Sequence, residues 1–215
     1  SQSIYGARHA GLKGGIPQEV PMLTLSRICG SGVQSIVTGA QMIMLGEAST
    51  VVSGGMENLS QAPHVMRGGR EGWKLGRSPK VEDYMMTNLQ DTTCGLFMAQ
   101  TSDEICNRKG VTREEIDAYA ARSHALTTAS IENDVFEQEI IPVTIKGRRG
   151  DTVVTHKDED HVVKNTTAES LSQLPTAFGP DSFVTAGNAS GVVDGAAAVV
   201  IKSASQASDD GDEPL

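Results

Sequence analysis

Cys29 is the residue in this sequence whose setting best suits nucleophilic chemistry. It follows an extended apolar run at residues 22–25 and precedes three small residues at 30–32. Apolar residues then recur at helical spacing over residues 33–44, so the pattern predicts a strand, a tight turn and a helix. Small residues let the backbone turn sharply, and the helix start directs unpaired N–H groups at the sulfur. That setting suits a cysteine that attacks carbonyl carbon.

A free cysteine beside an apolar helix more often fills space than reacts, so Cys29 alone does not establish an enzyme. Two further motifs add to it. Residues 53–63 read Ser-Gly-Gly-Met-Glu-Asn-Leu-Ser-Gln-Ala-Pro, and residues 185–191 read Thr-Ala-Gly-Asn-Ala-Ser-Gly, leading into Asp-Gly-Ala-Ala-Ala at 194–198. With the run around Cys29, these motifs resemble those of thiolases, the acyl-CoA C-acyltransferases. The resemblance extends from about residue 5 to about residue 203 and covers only the middle part of a thiolase.

The resemblance implies an acyltransferase that works through an acyl-cysteine intermediate on Cys29. Its reaction would be thiolytic cleavage of 3-ketoacyl-CoA or the reverse Claisen condensation of acyl-CoA. By the same resemblance Met98, Phe178, Ala186 and Ser190 bind the substrate, although a Met at a helix start and a buried Phe are also common in protein cores. Acyl-CoA and coenzyme A are expected as substrates, with no permanently bound cofactor, and the family implies a homo-oligomer, dimer or tetramer.

Other catalytic motifs of the family lie after the last match and are not found here. They are a Gly-His-Pro, an Asn-Glu-Ala-Phe and a second cysteine in a glycine-rich run. Losing a general base or an oxyanion donor costs about 10²–10⁴-fold in rate, so we expect these 215 residues alone to be inactive or nearly so. The alternative is a truncated, non-catalytic thiolase-like protein that binds acyl-CoA or a partner. A ketoacyl synthase is a weaker match at Cys29 and Asn188.

Composition narrows the partners and the compartment. The net charge of −9 and the pI of about 5.0 argue against nucleic acid as a partner. The three cysteines, Cys29, Cys94 and Cys106, lack metal-site spacing and are odd in number, which favours free thiols in a reducing compartment. No apolar run is long enough to span a membrane. We therefore expect a soluble protein, cytoplasmic in a bacterium and mitochondrial or peroxisomal in a eukaryote.

A metal site is also considered and set aside. His156, His161 and the acidic residues 158–160 could suggest one. Neighbouring lysines and the lack of a second ligand cluster favour a solvated loop, so no metal is expected.

The elements that must hold these residues alternate between strand and helix. The sequence predicts strands at 50–53 and 196–202, helices from Phe97 and from Thr112 to about residue 133, and a hairpin over 139–155. Thr112 and Glu115 have the spacing of a capping box. This is an α/β pattern, and the resemblance implies a layered αβαβα fold, here only part of its N-terminal half with the inserted loop domain. We expect a partial N-terminal domain at 1–60 and 191–203, a loop domain at 61–190, and an acidic disordered tail at 204–215.

Overall fold

A computed structural model describes residues 4–148, 150–154 and 161–214, with the backbone alone at residues 153 and 154. The chain forms two compact units. The first comprises the described residues of Ser1–Thr87 and Val192–Leu215, and the second is Asn88–Gly191. The sequence places the first domain boundary earlier, near residue 60, and that assignment of domains stays a prediction.

Seven helices and six strands are formed by the described residues. In chain order they are α1 (Gly6–Lys13), α2 (Ser31–Met44), β1 (Thr50–Glu57), β2 (His64–Met66), β3 (Val81–Asp83), α3 (Tyr84–Asn88), α4 (Met98–Lys109), α5 (Arg113–Glu132), β4 (Val143–Ile145), β5 (Thr152–Val154), α6 (Ala168–Ser172), β6 (Gly195–Lys202) and α7 (Ala204–Asp210).

Strands β1 and β6 pair antiparallel over their whole length, from Thr50 opposite Lys202 to Glu57 opposite Gly195. The first strand continues past the predicted end at residue 53 because Gly54 tolerates the neighbouring strand. A Cβ atom at Gly54 would collide with the carbonyl oxygen of Ala197. Gly54 and Gly55, which in the sequence suggest the end of a strand, are therefore paired residues within it.

Helix α2 packs on β1 through Gly39, its one buried residue. A Cβ atom there would lie 2.8 Å from Ser53 Oγ and 3.0 Å from Val51 Cγ1. Other apolar residues of this helix are exposed, including Val33 and Met44. Gly39 is thus the small residue that permits the close contact of α2 with the sheet.

The second unit confirms the longest predicted helix. Helix α5 runs from Arg113 to Glu132, and Thr112 caps it by accepting a hydrogen bond from the Glu115 N–H while the Glu115 carboxylate accepts one from the Thr112 N–H. The predicted hairpin is present as β4 and β5, which pair antiparallel but are each only three residues long.

The acidic tail differs from its predicted disorder. Residues Ala204–Asp210 form α7, which begins after the N-cap Ser203 and ends at Gly211 in the left-handed conformation. Lys202 Nζ lies 2.6 Å from Asp210 Oδ2 and 2.5 Å from Asp212 Oδ2. Composition alone favours disorder, whereas two caps and a lysine that neutralises the acidic end favour a helix.

None of the helices in the described part of the chain is long and apolar enough to cross a membrane.

Candidate active site

Cys29 is exposed in a tight turn immediately before α2. The Ser31 hydroxyl closes this turn, since it donates to the Ile28 carbonyl at 2.6 Å and accepts from the Arg27 N–H at 2.8 Å. The Gly30 N–H also donates to the Arg27 carbonyl, at 3.1 Å. The Ser31 N–H donates to the Ile28 carbonyl at 3.1 Å as well, so four hydrogen bonds across residues 27–31 fix the backbone on both sides of the sulfur.

Ile28 has a φ of +52°, the left-handed region. This conformation costs an L-residue about 1–2 kcal/mol, and it is a clear outlier for a β-branched side chain. The side chain is 79% exposed, so packing does not offset that cost. Strain of this kind persists where neighbouring contacts impose it and is concentrated at functional positions. Here it lies directly before the candidate nucleophile.

The start of α2 is tied to the glycine pair of the second motif. The Ser35 hydroxyl donates to the Gly32 carbonyl at 2.7 Å and approaches the Gly54 carbonyl at 3.0 Å. In return, the Ser53 hydroxyl donates to the Ser35 carbonyl at 3.0 Å. The structure therefore brings the first two sequence motifs together around the helix start.

The second motif also meets the segment that follows the third. Asp194 accepts the backbone N–H of Ser60 at 2.9 Å and its hydroxyl at 2.5 Å. These hydrogen bonds, the hydroxyl first, hold the pKa of Asp194 below its usual value. The Glu57 carboxylate accepts the Asn58 N–H at 3.1 Å. The segment after β1 and the segment before β6 meet at one end of the ladder and are hydrogen-bonded to each other there.

The predicted substrate-binding residues all lie in the second unit, Asn88–Gly191. Met98 is the first residue of α4, and its neighbour Phe97 stacks on Phe178 with ring centroids 6.3 Å apart. Ala186 and Ser190 are exposed on the loop at 185–191. Phe178 therefore contacts the residue that precedes Met98, and the other two residues share one loop.

A cavity of about 680 Å³ lies between α5 and the loop that carries Ser190. Of the predicted substrate-binding residues, Ser190 alone lines it. The remaining lining residues are Val111, Glu115, Ile116, Tyr119, Ala120, Ser123, His124, Thr127, His161, Val162, Gly187, Asn188, Ala189 and Gly191. Tyr119 is 70% exposed beside this cavity. The cavity is an open cleft lined by both apolar and polar residues.

Sequence reasoning missed the polar groups beneath this loop. Asp117 on α5 is 1% exposed and accepts hydrogen bonds from Arg113 Nε at 2.7 Å and Asn188 Nδ2 at 2.9 Å. His124 lies 3.2 Å, through Nε2, from the Gly187 carbonyl, and its Nδ1 accepts the Val163 N–H at 3.4 Å. The sequence signal for this ion pair was weak. Arg113 and Asp117 are four residues apart on one helix face, and exposed ion pairs have the same spacing.

The described residues contain no group of three or more His, Cys, Asp or Glu side chains able to hold a metal ion. Of the residues that could have suggested a metal, His156 and residues 158–160 lie outside the described part. The imidazole of His161 covers Gly191, where a Cβ atom would lie 2.7 Å from the ring.

Residues 2–205 match the family described as thiolase, N-terminal domain. The chain is 45% identical over 203 residues to the human protein named 3-ketoacyl-CoA thiolase, mitochondrial, covering 94% of this chain and 51% of that protein. It is 40% identical over 209 residues to a probable acetyl-CoA acyltransferase of Staphylococcus aureus (strain COL), covering 97% of this chain and 53% of the relative. The chain therefore spans about half the length of these relatives.

The chain also resembles a solved structure. The crystal structure of human mitochondrial 3-ketoacyl-CoA thiolase in complex with CoA superposes with a TM-score of 0.87 at 42% identity, covering 100% of this chain and 53% of the solved chain. This likeness confirms the α/β fold class that the sequence predicts, with part of that fold present.

Proposed function

This chain belongs to the thiolase family, and on that premise we propose that it is the part of an acyl-CoA C-acyltransferase that carries the acyl-accepting cysteine. The reaction is cleavage of 3-ketoacyl-CoA by CoA, or the reverse condensation of two acyl-CoA molecules. Relatives named as a 3-ketoacyl-CoA thiolase and a probable acetyl-CoA acyltransferase support this reaction. Coenzyme A is then a substrate, with no resident cofactor required.

One observation carries the proposal: the constrained turn that presents Cys29 at the start of the 14-residue helix α2. In the cleavage direction, the Cys29 thiolate attacks the 3-keto carbonyl carbon, and the bond between C2 and C3 breaks. The departing acetyl-CoA carbanion takes up a proton, and the acyl group remains on sulfur as a thioester until the thiol of CoA accepts it.

We propose that Met98, Phe178, Ala186 and Ser190 contact the pantetheine and the acyl thioester. The cavity of about 680 Å³ beside Ser190 supports a ligand site in the second unit, and a solved relative in complex with CoA supports the ligand class. The exposed aromatic face of Phe178, stacked on Phe97, suits an apolar part of such a ligand.

The remaining parts of the proposal concern turnover, assembly and location. None of the five His residues precedes a Pro, so we propose that this polypeptide alone accepts an acyl group without sustained turnover. The working protein would be a soluble homo-oligomer, dimer or tetramer, in a reducing compartment. That compartment would be the mitochondrion or peroxisome of a eukaryote or the cytoplasm of a bacterium.

The test is to incubate the chain with acetyl-CoA or acetoacetyl-CoA and to measure intact mass, followed by peptide mapping. We expect one acetyl group, confined to Cys29 and absent in Cys29→Ala. Cys94 is a matched control because it is also an exposed free thiol. Cys94→Ala should leave the labelling unchanged.

Equal labelling of Cys29 and Cys94 would show ordinary thiol reactivity and contradict the proposal. A folded chain without an adduct would instead favour the alternative, a non-catalytic thiolase-like protein that binds acyl-CoA or a partner. Calorimetric titration with CoA then distinguishes a protein that binds acyl-CoA from one that binds a partner. Measurable binding of CoA favours the first, and its absence favours the second.

A further inference from the structure

Asp117 is a buried carboxylate that the proposed reaction does not use. Burying a charge is costly unless hydrogen bonds and an opposite charge compensate it. Asp117 has both: its Oδ2 accepts from Arg113 Nε at 2.7 Å, and its Oδ1 accepts from Asn188 Nδ2 at 2.9 Å. The ion pair could be formed with Arg113 alone. The contact with Asn188 links α5 to a loop 71 residues later in the chain.

The Asn188 side chain holds the backbone of its own loop. Its Oδ1 accepts the Thr185 N–H at 2.7 Å, and its Nδ2 donates to the Phe183 carbonyl at 2.9 Å as well as to Asp117. An ionised carboxylate only accepts hydrogen bonds. Asp117 and the Phe183 carbonyl both accept from the Asn188 Nδ2, so together they specify the orientation of the amide, and its Oδ1 is left to accept the Thr185 N–H. Thr185 is itself 1% exposed, so its N–H needs this partner.

The same network fastens the loop to the rest of the unit. Arg113 Nη2 donates to the Leu171 carbonyl at 2.9 Å, so one arginine joins α5 to α6. Gly187 packs against that helix closely enough that a Cβ atom would lie 2.5 Å from Leu171 Cδ2. The residues that follow, through Gly191, line the cavity beside Ser190.

From this geometry we propose that Asp117 is a positioning residue for the acyl-CoA site, acting through Asn188 on the loop that carries Ser190. This inference rests on the proposed function for its ligand. Its structural content is independent: the Asp117 carboxylate sets the conformation of residues 185–190. A purely structural role would instead lie in the ion pair with Arg113.

A second i,i+4 ion pair in the same unit controls for the general effect of removing a carboxylate. Glu104 and Arg108 on α4 form the same i,i+4 ion pair at 2.8 Å, but their side chains are 48% and 73% exposed. Exposed pairs contribute little to stability. Glu104→Gln therefore removes an exposed i,i+4 pair that touches no loop of the cavity, so it controls for the loss of one negative charge in this unit.

The experiment compares wild type, Asp117→Asn, Asn188→Ala, the double variant and Glu104→Gln. Titration with CoA measures affinity. Amide hydrogen exchange measures opening of residues 185–190, with the exchange of α4 as the internal reference. We expect Asp117→Asn to weaken CoA binding about tenfold or more and to speed exchange in that loop, with Glu104→Gln within about twofold of wild type for both. The effects in the double variant should be less than additive, because both substitutions remove the hydrogen bond between Asp117 and Asn188.

Loop exchange that is unchanged in Asp117→Asn or in Asn188→Ala overturns the proposal, as do additive effects in the double variant. Should Asp117→Asn fail to fold, Asp117→Glu keeps the negative charge that pairs with Arg113 and displaces the carboxylate relative to Asn188, so its loop exchange decides. If the wild type itself does not bind CoA, the proposed function fails, while the exchange comparison still decides the role of Asp117.

Discussion

Replacing Gly39 by alanine should destabilise the protein, although alanine is the better helix former. Helix propensity favours Ala over Gly by about 1 kcal/mol in a helix interior. Against this, the new methyl group would lie 2.8 Å from Ser53 Oγ, 3.0 Å from Val51 Cγ1 and 3.2 Å from Ile201 Cδ1. Overpacking of this kind costs about 1–3 kcal/mol. The net expectation for Gly39→Ala is a loss of up to about 2 kcal/mol in the free energy of unfolding.

The Ser53 hydroxyl has little room to give way. It is buried and donates to the Ser35 carbonyl at 3.0 Å, one of the contacts that hold α2 on β1. Moving it would weaken that hydrogen bond, worth about 0.5–1.5 kcal/mol. Ser53→Ala removes the obstructing oxygen, so it should relieve part of the cost in a Gly39→Ala background. The interaction energy between the two substitutions should exceed about 0.5 kcal/mol.

Gly32 provides the matched control in the same helix. No heavy atom lies within 4 Å of a Cβ atom built there, so Gly32→Ala should be neutral or stabilise by up to about 1 kcal/mol. Urea unfolding followed by far-ultraviolet circular dichroism compares the variants. If Gly39→Ala is as stable as Gly32→Ala, the close approach of α2 to β1 is wrong as described.

Two further predictions concern the turn and the motif contacts. Ile28→Gly should be about 1 kcal/mol more stable than Ile28→Ala, because both shorten an exposed side chain and only glycine adopts a φ of +52° without strain; equal midpoints in urea would contradict the left-handed turn. The pKa of Asp194 is lowered in the folded chain, chiefly by the Ser60 hydroxyl. Its contribution to stability is therefore present above the unfolded pKa and is lost as the pH falls through the folded pKa. Asp194→Asn should flatten the decline in stability below about pH 4, and an unchanged acid limb in thermal melts would refute this.

Local patterns account for what sequence reasoning predicted well. The capping box of Thr112 and Glu115 joins residues only three apart, so its sequence signature is enough to predict its geometry. The turn at Cys29 followed by a helix is likewise local. The extent of β1 was misjudged because a glycine pair reads as a stop unless the closely paired β6 is known.

The sequence by itself determined the α/β class, the candidate nucleophile and the family, since small-residue turns, helical spacing and short motifs are properties of neighbouring residues. Tertiary structure alone decided that Asp117 is buried under the Ser190 loop and that Ser60 binds Asp194, 134 residues away. Periodicity assigns a carboxylate to the solvent face because an unpaired buried charge is prohibitively costly. Partners that compensate the charge are distant in sequence, so they become visible only when the chain has folded.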